Sequence, residues 1–156
     1  MKLAEALALR SDAQKRASQL QARALATARY QEGEQPPESA ADLLAEARAV
    51  VDEVETLVRR INRTNAATEL EPGVTITDAI ARRDALALHR KVLAAVADAA
   101  AGRGDGRMWR QLRSELREVT DLPVGELRRE ADDVSRQYRE LDVSLQQANW
   151  ATDLVE

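Results

Sequence analysis

Apolar residues recur along this chain mostly at spacings of three and four, the period of one helix face. Leu3, Ala6, Arg10, Ala13, Ala17, Leu20, Ala24 and Thr27 form such a stripe and predict a helix over about 3–31. Its inner face is built of small residues, which permits close helix approach but buries little area. Gly33, Pro36 and Pro37 end it. Ser39 is then placed to cap a second helix over about 40–69, with Asp42 completing a capping box. That helix has the strongest pattern: Leu43, Leu44, Ala47, Val50, Val51, Val54, Leu57, Val58 and Ile61 make one broad apolar face. Arg48, Asp52, Glu55 and Arg59 lie opposite, with Glu55 and Arg59 at the favourable four-residue spacing.

After Ile61 the stripe turns polar, with Asn65 and Thr68 where apolar residues are due, and Glu71-Pro72-Gly73 breaks the chain. Thr75 and Asp78 have capping-box spacing for a third helix over about 76–101, closed by Gly102, Gly104 and Gly106. Residues 107–122 fit a helix, an extended segment or a short hairpin, and the pattern leaves these open. The fourth helix, about 123–148, has Leu127, Ala131, Val134, Tyr138, Leu141, Leu145 and Ala148 stepping by four and three, a coiled-coil-like seam. Arg128 to Asp132 and Arg136 to Glu140 are its expected ion pairs. The expectation is an all-α fold, an antiparallel bundle of long helices in a single domain over 1–156.

Composition adds a constraint on the core. The 156 residues include 29 Ala and no Phe or Cys, and Leu, Ile and Val together number 34, about 22%. That is just above the roughly 20% below which disorder is expected. A core this thin favours burial between subunits. No stretch approaches the ~18 apolar residues of a membrane span, and Glu5 and Arg10 interrupt what would be a signal-peptide apolar core. Without cysteine there is no disulfide framework, thiolate zinc site or cysteine nucleophile. A reducing, cytoplasmic setting fits. The net charge of −4 and pI near 5.2 argue against a general nucleic-acid binder.

Few residues suggest chemistry. Asn62, Arg63 and Asn65 break the helical pattern, since Asn competes for backbone hydrogen bonds and sits poorly in helix interiors. In a functional reading Arg63 grips a carboxylate or phosphate with both amides completing the shell. In a structural reading, ranked first, the amides fix register between helices or subunits. Glu32 and Glu34 flank Gly33 and are candidates to hold a hard cation or to meet Arg63; a solvated acidic loop ranks above both. Asn149 and Trp150 mark the tail, where the indole is expected to anchor packing at a bundle end or interface. His89, the only histidine, has no second histidine for a metal pair, and it reads as a packed or partly exposed side chain. Asp132 and Asp133 point about 100° apart and do not converge. Gly102, Gly104 and Gly106 lack a phosphate-loop context. Arg107, Trp109, Arg110, Arg113 and Arg117 form a local basic-aromatic cluster, with a charge-balanced helix surface as the preferred reading.

Taken in order, MKLAEAL, QEGEQPPE, INRTNAAT, TITDAIARRD and QANWATDL resemble the septicolysin-like family of small bacterial helical proteins across nearly the whole chain. The match is weakest at 106–124, where Pro123 replaces an expected helix-capping acid. The resemblance implies an all-helical, oligomeric protein of uncharacterised role, and it supplies no catalytic residues. The family label hints at a cytolysin, but neither an export signal nor a membrane-inserting segment is visible and the exposed faces are densely charged.

The leading expectation is therefore a cytoplasmic, self-associating helical-bundle protein, with a non-enzymatic role ranked first and an activity left open. In it Asn62, Arg63 and Asn65 form a polar layer with Glu32 or Glu34 and the Asn149–Trp150 tail. The alternative is a protein or hydrolase binding a small anion or divalent cation through the same cluster; the pattern leaves any cofactor open. A cytolysin ranks below both.

Overall fold

The structure, a computed structural model, describes residues 1–103 and 119–156. Four helices dominate: α1 Leu3–Thr27, α2 Ala40–Ala67, α3 Ile76–Ala100 and α4 Val124–Ala151. A two-stranded antiparallel ribbon, β1 Glu69–Glu71 and β2 Val74–Thr75, lies between α2 and α3. The fold is all-α. The chain divides into two compact units, one of Met1–Thr77 with Gln146–Glu156 and one of Asp78–Leu145.

In the first unit α1 and α2 form an antiparallel hairpin. Ala6, Ala13, Leu20 and Thr27 of α1 are buried at intervals of seven, as are Leu43, Val50, Leu57 and Thr64 of α2. This spacing keeps one edge of each helix against the other over many turns. Between these residues lies a second row, half-buried at Ala17, Ala24, Ala47 and Val54. A two-helix hairpin covers its inner edge fully and its flanks only in part. Arg16 to Glu46 at 2.5 Å and a bidentate Arg23–Glu38 pair tie the helices along one flank.

Helix ends follow local chemistry. Ser39 Oγ accepts the Asp42 N–H at 3.3 Å, so the expected cap of α2 is present. α1 stops four residues before the expected end. Ala28, Arg29 and Tyr30 are all exposed, and no burial rewards another turn. α2 also stops early, at Ala67, where Glu69–Glu71 and Val74–Thr75 pair as antiparallel strands around Pro72-Gly73. Gly73 has φ +78°, as a type II turn with proline before glycine requires. What the sequence pattern presented as a break is a hairpin turn. α3 ends with Gly102 at φ +71°, where the Gly102 and Arg103 N–H groups donate to Ala99 and Asp98 carbonyls at 3.0 and 2.8 Å, a Schellman cap. The Pro123 carbonyl accepts from Glu126 and Leu127 N–H at 2.9 and 3.1 Å, which starts α4 without a capping acid. α4 runs one turn past its expected end. The part of the open 107–122 stretch up to residue 118 lies outside the described residues.

In the second unit α3 and α4 run antiparallel. Arg83 pairs with Asp142 at 3.5 Å, His89 with Glu130 at 3.5 Å and Asp98 with Arg128 at 3.9 Å. Arg90 lies over the Tyr138 ring, 5.7 Å from its centroid. The expected pairs within α4 are replaced: Arg128 reaches across to α3, and Arg136 pairs with Asp133 at 2.8 Å.

Burial separates two leucines of α1. Leu20 is 2% exposed and Leu25 is 70% exposed. Leu20→Ala is expected to cost about 2–5 kcal/mol, whereas Leu25→Ala stays within about 0.5 kcal/mol, both read by chemical denaturation.

Candidate functional site

α2 places the polar segment after Ile61 at the end of the hairpin where both chain termini meet. Thr64, between Arg63 and Asn65, is completely buried. Its hydroxyl donates to the Arg60 carbonyl at 2.8 Å and accepts the Val155 N–H at 3.0 Å. Arg60 Nε donates to the Val155 carbonyl at 3.1 Å. The tail is also held to the start of α1: Leu3 N–H donates to the Thr152 carbonyl at 3.0 Å and Leu154 N–H to the Met1 carbonyl at 2.9 Å. Lys2 Nζ donates to the Ala151 carbonyl and pairs with Asp153, both at 3.0 Å. These bonds satisfy backbone groups that α1 and α4 leave open at their ends. Buried Leu3, Ile61, Ile76 and Leu154 supply the apolar material of this clasp.

Thr64 lies within the polar segment singled out from the sequence but was given no role of its own there, although it continues the seven-residue spacing of Leu43, Val50 and Leu57. Its flanking residues drew attention instead. Asn62 and Arg63 are exposed and Asn65 is half-buried. Asn149 is half-buried, while Trp150 is 65% exposed and does not anchor packing within the chain. Glu32 and Glu34 are exposed on the loop joining α1 to α2, at the opposite end of the hairpin. Asn62 lies 22 residues into α2, roughly 33 Å along its axis at 1.5 Å per residue. The expected layer joining Glu32 or Glu34 to Arg63 is therefore not formed within one chain, because the helix that carries Arg63 carries it away from that loop. Among the described residues, no three His, Asp or Glu side chains cluster as a metal site needs.

Two other features have no partner among the described residues. Arg10 occupies a seam position of α1, and its Nε is buried with no acceptor. Large apolar side chains also face solvent in rows. On α2 these are Leu44 at 48% and Val51 at 56% exposure, beside half-buried Val58. On α3 they are Leu88 at 63%, Val92 at 51% and Val96 at 38%. His89, beside the α3 row, is exposed. The basic-aromatic cluster from Arg107 to Arg117 lies outside the described residues, and none of the described helices is long and apolar enough to cross a membrane.

A helical protein with a terminal clasp and uncovered apolar rows is the class these features define. The chain belongs to DUF6847, a family of unknown function whose model matches residues 10–154. It is similar to a functionally unknown conserved protein from Corynebacterium diphtheriae, at 42% identity over 99% of both chains. The crystal structure of that protein superposes with a TM-score of 0.91. No curated protein matches the chain.

The clasp makes two outcomes measurable. Thr64→Val removes the acceptor for a half-buried N–H and is expected to cost about 1–3 kcal/mol, with faster amide exchange at Val155. Asp153 and Glu38 are both held below the ordinary carboxylate range, chiefly by hydrogen bonds from Lys2 and Arg23 respectively. A lowered folded pKa gives stability that is present above the unfolded value and lost as pH falls through the folded one. Melting temperature should therefore fall as pH drops below about 4, and less steeply in an Asp153→Asn, Glu38→Gln double variant.

Proposed function

We propose that this is a self-associating helical-bundle protein, working in the cytoplasm as a structural or interaction component. Its thin core is completed by another copy of the chain. The observation that carries this reading is the character of α3, which is apolar on two sides. One side holds buried Ala79, Leu93 and Ala97, and the other presents Leu88 and Val92 to solvent. A helix with two apolar faces has one to bury within its own chain and a second to bury against further material. The exposed row of α2 and the missing acceptor at Arg10 point the same way, since each is satisfied by material from outside the chain.

In the ligand-gripping alternative Asn62, Arg63 and Asn65 would hold an anion without Glu32 and Glu34, which stand at the far end of the hairpin. The resemblance to septicolysin-like proteins contributes oligomerisation to this proposal and no membrane activity.

Sedimentation equilibrium tests the reading. The expected result is a mass that rises with concentration to a multiple of the 17.2 kDa chain. Thermal melting is expected to be unchanged by divalent cations or nucleotides. A mass fixed at one chain at every concentration would falsify self-association, and a ligand shift abolished by Arg63→Ala would revive the binding reading.

A further inference from the structure

The outer row of α3 is more ordered than a scatter of exposed apolar residues. Ala81, Ala85, Leu88, Val92, Ala95 and Ala99 step by four, three, four, three and four, and every one of them is exposed. At 100° per residue this row lies roughly opposite the α3 face that holds Ala79, Leu93 and Ala97. α3 thus carries two heptad seams, of which only one is buried.

We propose that this outer seam joins two copies of the chain, with α3 running antiparallel to α3 of the second copy across a two-fold axis between residues 86 and 87. This rests on the self-association reading and specifies its surface, partner and register. About this axis Leu88 packs on Ala85 of the second copy and Val92 on its Ala81, with the reciprocal contacts made by symmetry. Each central layer therefore matches one large with one small residue, the arrangement that fills space between closely approaching helices.

Charge selects the same register. Asp84 and Lys91 flank the seam on the same side, seven residues apart. Asp84 is exposed and, among the described residues, bonded only to its neighbour Arg83, at 3.0 Å. Lys91 is exposed and has no partner among the described residues. In the proposed register Asp84 lies within about 3 Å, along the axis, of Lys91 of the second copy, and the pair occurs twice. Sliding one helix by a heptad sets Leu88 against Val92 instead. That register brings Lys91 beside Lys91 and Asp84 beside Asp98, and like charges facing each other disfavour it. A second copy thus complements this face in both shape and charge.

The test is sedimentation equilibrium on the full chain with helicity followed by circular dichroism. Leu88→Glu is expected to give a monomer with unchanged helicity, because position 88 is already exposed within one chain. Asp84→Lys and Lys91→Asp should each weaken the dimer about tenfold, and the double exchange should restore it. A monomeric wild type overturns both this seam and self-association. A wild-type dimer that survives Leu88→Glu overturns the seam and leaves self-association standing. A double exchange no tighter than the single variants overturns the register, and does so even if Leu88→Glu fails to fold.

Discussion

The first unit depends on a single geometric constraint, the seven-residue interval that sets Ala6, Ala13 and Leu20 of α1 against Leu43, Val50 and Leu57 of α2. The alanines allow the backbones to approach, while the leucines and Val50 supply most of the apolar area removed from water. Such a seam is narrow. It covers one edge of each helix and leaves the flanks half open, so the wider apolar face of α2 runs past its partner. The exposed Leu44 and Val51 follow from a broad stripe meeting a single slim helix.

A narrow seam also needs its ends secured, because hairpin helices fray where the last backbone groups have no partners. At the far end this falls to Arg23 and Glu38. At the near end Thr64 converts what would be another apolar layer into a receptor for the tail. A threonine there costs little, since its hydroxyl has both a donor role toward Arg60 and an acceptor role toward Val155. The result ties the C-terminal tail to one turn of α2, and the tail in turn holds the start of α1. The polar run after Ile61 is thus the point at which the helix stops packing on its neighbour and starts holding the tail.

Helix positions were legible in the sequence because three-and-four spacing is a direct consequence of 3.6 residues per turn. The limits of α2 and α3 and the start of α4 were legible to within a few residues because Ser39, Pro72, Gly102 and Pro123 impose local conformations. The ribbon was missed because Leu70 and Val74 give too short an alternation to register against helical patterns on either side. The role of Thr64 was missed for a different reason. Reading by residue type drew attention to asparagine and arginine, whereas position within the seven-residue row identified the buried group. The pairing of Arg63 with the Gly33 loop failed on length alone, a constraint that chemical plausibility does not contain.

Polar residues at seam positions give the remaining physical lead. Thr64, Arg83 and Arg90 each occupy a place where an apolar residue would pack, and each has a partner: the tail, Asp142 and the Tyr138 ring. Such pairs work only in one alignment, so they disfavour sliding of the helices past one another. Arg10 breaks this rule, with its Nε buried and unanswered among the described residues. An unsatisfied buried donor is a standing cost to the free chain. An acceptor brought from outside would relieve it without any rearrangement of α1. The same holds for the rows on α2 and α3, where contact with another molecule removes apolar surface already arranged at helical spacing. The free energy still open to this fold therefore lies on its faces, and composition pointed there from the start: a chain with 29 alanines and no phenylalanine has little else with which to enlarge its core.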